Sequence, residues 1–282
     1  MARWNIGQWL AAGLIAMVAG SDGLAGEERP GFLQDRGTGV ASSMFATYIE
    51  RGQVVVYPFY EFYYDGNAEY EPADFGLPST QEYRGKSRAH EGLIFLGIGL
   101  TDWLIWEFEA AVITERFEKS GGDTSAVPAV IEESGLGDVE TQLRWRWMRE
   151  TDSRPEVFSY FETVFPLQKD RDLIGTADWE YKLALGLIKG FRWGTLTLRS
   201  GVEYVREEDK LEAGEFALEY MKRLSPRWRV FSMIEGTQDE VELVSEAQLH
   251  FGPRGYVKAG TGVGLTSKAT DIAPEIGVML IF

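Results

Sequence analysis

The chain contains no cysteine, which excludes a disulfide framework, a thiolate nucleophile and any cysteine-held zinc or iron–sulfur centre. Histidine is almost as scarce. With only His90 and His250 present, a three-histidine metal site is impossible and imidazole-based catalysis has few candidates. Beyond the first residues no stretch approaches 18 consecutive apolar positions, so the rest of the chain holds no transmembrane helix. Positive charge is also in deficit. The 28 lysines and arginines stand against 44 acids, a formal net charge of −16, which argues against nucleic acid as a partner.

What is present begins with an address label. Arg3 precedes an apolar run from Trp9 to Ala19 that is too short to span a bilayer, and Gly23-Leu24-Ala25 supplies the small residues a signal peptidase reads. Residues 1–25 are therefore expected to be a signal peptide, cleaved after Ala25 or Gly26. Export without cysteine leaves strand pairing and packing to stabilise the mature chain. Aromatics are abundant, with 9 Trp, 12 Tyr and 16 Phe; two aromatic girdles at membrane interfaces would use them.

The clearest periodic signal lies at the C-terminus, where Ile276, Val278, Leu280 and Phe282 alternate with Glu275, Gly277, Met279 and Ile281. Such a period-2 strand ending on phenylalanine is what outer-membrane barrels present to the barrel-assembly machinery, so Phe282 is expected to be an assembly signal. The same alternation recurs in segments close to the 9 to 11 residues of a tilted spanning strand. Twelve can be marked: 53–64, 88–100, 103–115, 136–148, 156–166, 179–190, 193–206, 210–223, 227–236, 241–252, 255–266 and 273–282. The expected outer loops are 65–87, 116–135, 167–178, 207–209, 237–240 and 267–272; the intervening turns are short, and Ser225-Pro226 and Gly252-Pro253-Arg254-Gly255 are strong breakers. The fold class expected is all-β, a closed antiparallel transmembrane β-barrel of about 12 strands in up-and-down order, spanning 53–282 and located in the bacterial outer membrane. Residues 26–52 read as a periplasmic lead-in or small plug, with Ala41 to Tyr48 a short helix or an additional strand.

Parity then sorts side chains between lipid and lumen, because successive residues point to opposite faces and charge is costly toward lipid. Val139, Thr141, Leu143, Trp145 and Trp147 face lipid while Asp138, Glu140, Gln142, Arg144 and Arg146 face inward. The inward set expected over all strands is Glu107, Glu109, Glu140, Arg144, Arg146, Glu162, Glu180, Lys182, Arg199, Glu203, Glu215, Glu219, Glu242, Glu246, His250 and Glu275. Acids outnumber bases in it. That composition fits a cation-favouring polar lumen with carboxylates near the path, and equally a salt-bridged, occluded interior. Gly186, Gly201, Gly260, Gly262 and Gly264 would make room inside.

Few constellations point to chemistry. His90 lies near the outer end of the second strand, where barrel enzymes that modify outer-leaflet lipid place a histidine–serine pair, but Ser87 has the wrong phase to be its neighbour. Asp65, Glu69, Glu71 and Asp74 match no calcium-loop spacing and read as solvated charge bridged to lipopolysaccharide. Gly135-Leu136-Gly137-Asp138 is followed by no lysine–serine pair or helix, so it opens a strand and does not cradle phosphate. No cofactor and no metal is implied.

That Gly-Leu-Gly-Asp-Val stretch, the following strand with Phe165-Pro166, and the terminal Phe282 together resemble the outer-membrane family associated with the meta-cleavage pathway of phenol degradation. The resemblance implies a barrel that takes up small, often aromatic compounds, and it carries over no catalytic or ligand-binding residue. The leading expectation is a passive channel for small solutes, not an enzyme, with loops 65–87 and 116–135 narrowing its mouth. Its partners would be outer-membrane lipid and lipopolysaccharide, the assembly machinery and a small-molecule solute. The rivals are a non-conducting structural or adhesive barrel and an outer-leaflet lipid-modifying enzyme centred on His90.

Overall fold

Every marked alternating segment becomes a strand of one closed sheet. The computed structural model describes residues 30–168, 170–206 and 209–282; the expected signal peptide, 1–25, lies outside the described residues. Two short strands, β1 (Val40–Ala41) and β2 (Tyr48–Ile49), pair with each other ahead of the barrel. The barrel itself comprises β3 (Val54–Tyr70), β4 (Tyr83–Gly99), β5 (Leu104–Glu118), β6 (Val130–Met148), β7 (Glu156–Val164), β8 (Glu180–Phe191), β9 (Gly194–Val205), β10 (Lys210–Arg223), β11 (Trp228–Gly236), β12 (Val241–His250), β13 (Gly255–Gly264) and β14 (Ile272–Ile281). Neighbours in sequence are antiparallel neighbours in space, and β14 closes the ring on β3. Closure leaves no unpaired strand edge, the condition for crossing lipid with strands.

The wall faces outward with its apolar side. Leu183, Leu185, Leu187, Leu198, Leu218, Ile234, Val263 and Ile276 are exposed around the middle of the barrel. So continuous an apolar belt on a folded chain needs a hydrocarbon partner. Rings border it on both sides. Phe165, Trp179, Tyr181 and Tyr204 form a chain of contacts at the ends of β7 to β9, with centroids 5.4, 6.2 and 6.5 Å apart. Phe191, Trp193 and Tyr220 do the same at the opposite ends, at 4.9 and 6.0 Å. Trp103, Trp147, Trp228 and Phe282 are exposed at that same rim.

Eight of the strands, β7 to β14, match the alternation within two residues, but the first four run longer on the extracellular side. β3 continues to Tyr70, β4 starts at Tyr83, β5 continues to Glu118 and β6 starts at Val130. Loops expected at 65–87 and 116–135 therefore shrink to 71–82 and 119–129. Register shifts explain the difference. Between Asp65 and Ala68 on β3, and opposite Ala110 to Val112 on β6, the ladder skips, and an inserted residue reverses the parity beyond it. The Gly135–Asp138 stretch, expected to open a strand, instead holds the second of these bulges within β6. The two shortened loops pack on each other through Tyr70, Phe117 and Val127.

Candidate functional site in the barrel interior

The ladder carries the whole expected inward set on one face. Glu107 and Glu109 on β5 face Gln142 and Glu140 on β6; Glu162 on β7 faces Lys182 on β8, which faces Glu203 on β9. Arg144 and Arg146 continue the β6 row, Glu180 the β8 row, and Glu215 and Glu219 the β10 row beside Arg199 of β9. Glu242, Glu246 and His250 alternate along β12, and Glu275 of β14 lies across β13 from Glu246. The strands add inward groups that alternation alone leaves ambiguous: Glu61, Glu91, Arg229, Glu235 and Lys258.

Charge is distributed unevenly round this wall. On β9 to β11, Arg199 reaches Glu215 at 2.9 Å, Glu219 at 3.1 Å and Glu235 at 2.5 Å. Lys258 joins Glu246 at 2.5 Å and Glu275 at 3.0 Å, and Lys182 joins Glu162 at 3.2 Å. These groups satisfy one another. The arc from β3 to β6 differs, because Glu61 stands directly opposite both Glu91 and Glu275, and Glu109 directly opposite Glu140. Among the described residues no cation lies within 4.0 Å of Glu61, Glu91, Glu109 or Glu140. Like charges directly across a ladder destabilise a sheet, so this arc is not arranged for stability.

Below the charged belt the lumen is crossed by the chain's own N-terminal residues. Arg36 donates to Glu150 at 2.8 Å and to Glu156 of β7 at 3.0 Å, and its guanidinium lies 5.1 Å from the Tyr48 ring. Arg146 of β6 donates to the Thr38 carbonyl at 2.9 Å, and Ser43 donates its N–H to Glu107 of β5 at 3.1 Å. Across the barrel, Arg229 of β11 donates to the Ala46 carbonyl at 3.1 Å, Thr47 bonds Tyr256 of β13, and the Arg223 N–H of β10 donates to Asp35 at 2.9 Å. Phe45 stacks on Phe231 at 5.2 Å. Val40 and Ile49 are buried with Val55, Phe95, Ile105 and Met279. Residues 30–52 thus touch strands on every side, from β4 through β8 and from β10 through β13.

Glycines fit rings and chain into this space. At Gly186 a Cβ would lie 2.1 Å from the Phe158 ring, so that glycine houses a neighbour's ring; the room it was expected to open is filled. Gly97 similarly accommodates the tip of Ile49. At the extracellular end the loop after β7 folds onto the inner face of β6. Glu133 accepts the N–H groups of Asp172 at 3.2 Å and Leu173 at 3.1 Å, Asp138 accepts that of Thr176 at 2.7 Å, and Ile174 is buried. Leu173 of this loop packs against Tyr70, Phe117 and Val127, so it meets loops 71–82 and 119–129 over the inner face of the mouth.

The two histidines separate. His250 faces inward beside Tyr256, its Nε2 3.3 Å from the amide oxygen Oε1 of Gln248. His90 faces outward, its Nδ1 2.6 Å from the Tyr60 hydroxyl. Ser87 lies on the opposite face of the same strand, where it donates to Glu115 at 2.6 Å. The histidine–serine pair is therefore split by the sheet itself.

No family model matches the chain, and no curated protein shows a significant match. Among solved structures, the COG4313 outer membrane channel from Pseudomonas putida F1 is similar over 86% of this chain and 100% of its own, with a TM-score of 0.63 at 14% identity. The translocator domain of autotransporter NalP from Neisseria meningitidis covers 82% of this chain and 88% of its own (TM-score 0.49, 13% identity), and the KdgM porin 80% and 99% (0.48, 10%). The fold is that of an outer-membrane β-barrel, and the apolar belt between two aromatic borders sets it in that membrane.

Proposed function

We propose that the chain is a passive outer-membrane channel for small solutes, cation-biased along the β3 to β6 arc and closed at its periplasmic half by residues 30–52. The observation that carries this reading is the row of directly opposed carboxylates without cations, Glu61 with Glu91 and Glu109 with Glu140. A wall selected only for stability replaces such pairs by neutral or opposite charges. A wall that conducts uses them to concentrate cations along its path. The similar Pseudomonas putida protein is described as a channel, which agrees with this reading. Small aromatic solutes are the substrate class that the family resemblance suggests, and inward Phe59 and Tyr63 on β3, which are only partly buried, supply rings on either side of Glu61 for them to slide against.

The test is planar-bilayer recording of the mature protein under a salt gradient, with phenol and catechol added to either side. The proposal expects brief, infrequent openings whose reversal potential is cation-selective and whose dwell times shorten with added phenol. Openings with anion preference contradict the charge argument, and openings indifferent to phenol contradict the aromatic substrate. A barrel that inserts but never opens, with or without its N-terminal residues, favours a structural role.

A further inference from the structure

In its extracellular half the outer wall carries its charge in one sector. In the extracellular half, the outward positions of β7 to β14 hold no charged side chain among the described residues; they are filled by residues such as Tyr181, Val202, Leu218, Leu243 and Val263. On β4 to β6 the same face holds Lys86, Arg88, Arg116, Glu118 and Glu132. Arg88 stands directly opposite Arg116, a like-charge pair that costs stability unless an anion lies between or beside the two. Arg116 is held by its neighbours, with Nε 3.0 Å from Glu118 and Nη1 on Glu132. Arg88 and Lys86 are exposed; Lys86 stands across the ladder from Glu118, which Arg116 engages, and among the described residues no carboxylate lies within 4.0 Å of either Lys86 or Arg88. On a chain of net charge −16, this is a local reversal of sign.

Its height on the wall identifies the partner. Two residues down β4 from Arg88, His90 packs against Phe62 at 5.0 Å and bonds Tyr60, so the cations sit just above the aromatic border of the apolar belt. Rings mark the headgroup level of a bilayer, and a guanidinium at that level meets phosphate. Below the cations runs a lipid-facing strip. Gly92 pairs with Val112, a Cβ built on Gly92 meets nothing within 4 Å, and Val112, Ile94 and Leu136 are all exposed. The missing side chain leaves a recess between Tyr60 and Val112 in the apolar wall below the charges, where a hydrocarbon chain can lie.

We infer that Lys86, Arg88 and Arg116 form a binding site for the phosphate of a phosphorylated glycolipid of the outer leaflet, with an acyl chain lying over Gly92. This rests on the outer-membrane placement of the barrel and not on conduction. Native mass spectrometry of the mature protein, purified in detergent and titrated with bis-phosphorylated lipid A, tests it. The wild type is expected to retain one lipid A through detergent release. The variant K86Q/R88Q should lose at least about ten-fold in apparent affinity, while dephosphorylated lipid A binds both proteins equally weakly. Replacing Gly92 by phenylalanine should weaken lipid A with the charges intact. Heat-modifiable mobility confirms that each variant is folded, and unchanged conductance separates this site from the lumen. Equal lipid A binding by wild type and K86Q/R88Q overturns the inference. So does displacement of lipid A by millimolar inorganic phosphate, because the site then belongs to a soluble anion.

Discussion

Replacing Arg36 by alanine is expected to raise the open probability of the barrel by about two to three orders of magnitude without changing the size of the conductance step. Arg36 is among the most buried side chains of the described residues, at 1% exposure, and it bridges Glu150 of the β6–β7 turn and Glu156 of β7. Removing one partner of a buried ion pair costs up to roughly 3–5 kcal/mol, here the two bridges that tie the N-terminal segment to the barrel, and every 1.4 kcal/mol or so is a factor of ten. Lys189 stays 3.0 Å from Glu150, and Arg146 stays 3.2 Å from Glu156. The barrel wall therefore keeps its own pairs, and the loss falls on the docking of residues 30–52. Bilayer recordings together with proteinase K digestion from the periplasmic side check this. More frequent openings and faster cleavage before Val54 are the expected pair of results. Arg36→Lys should lie between the two, since an ammonium lacks the fork that reaches both carboxylates.

The second large effect runs against the usual direction of mutation. The double variant Glu109→Gln with Glu140→Gln should stabilise the barrel, because it removes a directly opposed like-charge pair whose cost is about 0.2–1 kcal/mol even at a solvated site. The same change should lower the cation-to-anion permeability ratio by roughly three-fold or more, a factor that about 0.6 kcal/mol supplies. Urea unfolding and reversal potentials read the two consequences separately. A variant both less stable and equally selective would mean that these carboxylates hold the wall together, and the charge argument for conduction would fail with it. Glu246→Gln makes the contrast, because Glu246 already pairs with Lys258 at 2.5 Å; its loss should destabilise.

The alternation of the sequence made the barrel legible, since charge is tolerated on only one face of each strand. In β12, Glu242, Glu246, Gln248 and His250 fall on one parity and Val241, Leu243 and Leu249 on the other, and the ladder preserves that division. β3 and β4 hid Glu61 and Glu91 because both faces of those strands are apolar: Tyr57, Phe59, Leu93 and Phe95 point inward while Tyr60, Ile94 and Leu96 point out. The inward apolar side chains become intelligible once residues 30–52 are seen to cover them, with Val40 and Ile49 against Phe95 and Val55. Nothing periodic in that segment announces its position; β1 and β2 have two residues each, and the Ala41 to Tyr48 stretch is a tight two-stranded turn. The glycines of β4 were the available signal. Gly97 and Gly99 lie where Ile49 and the Glu50 carbonyl press against the wall, and a Cβ there would lie 2.4 and 1.9 Å from them. The bulges at Asp65–Ala68 and Gly137–Asp138 hid the strand extensions for a different reason, because one extra residue reverses every later parity.

Deletion of residues 30–52 and comparison with the intact mature protein in the same planar bilayer tests the central claim most directly. Both proteins must first show heat-modifiable mobility, so that the comparison is between folded barrels. Long-lived, cation-selective steps are expected from the deleted form and a predominantly closed trace from the intact one. Equal conductance from both would contradict it, because the segment that touches strands on all sides of the lumen would then not be what closes it.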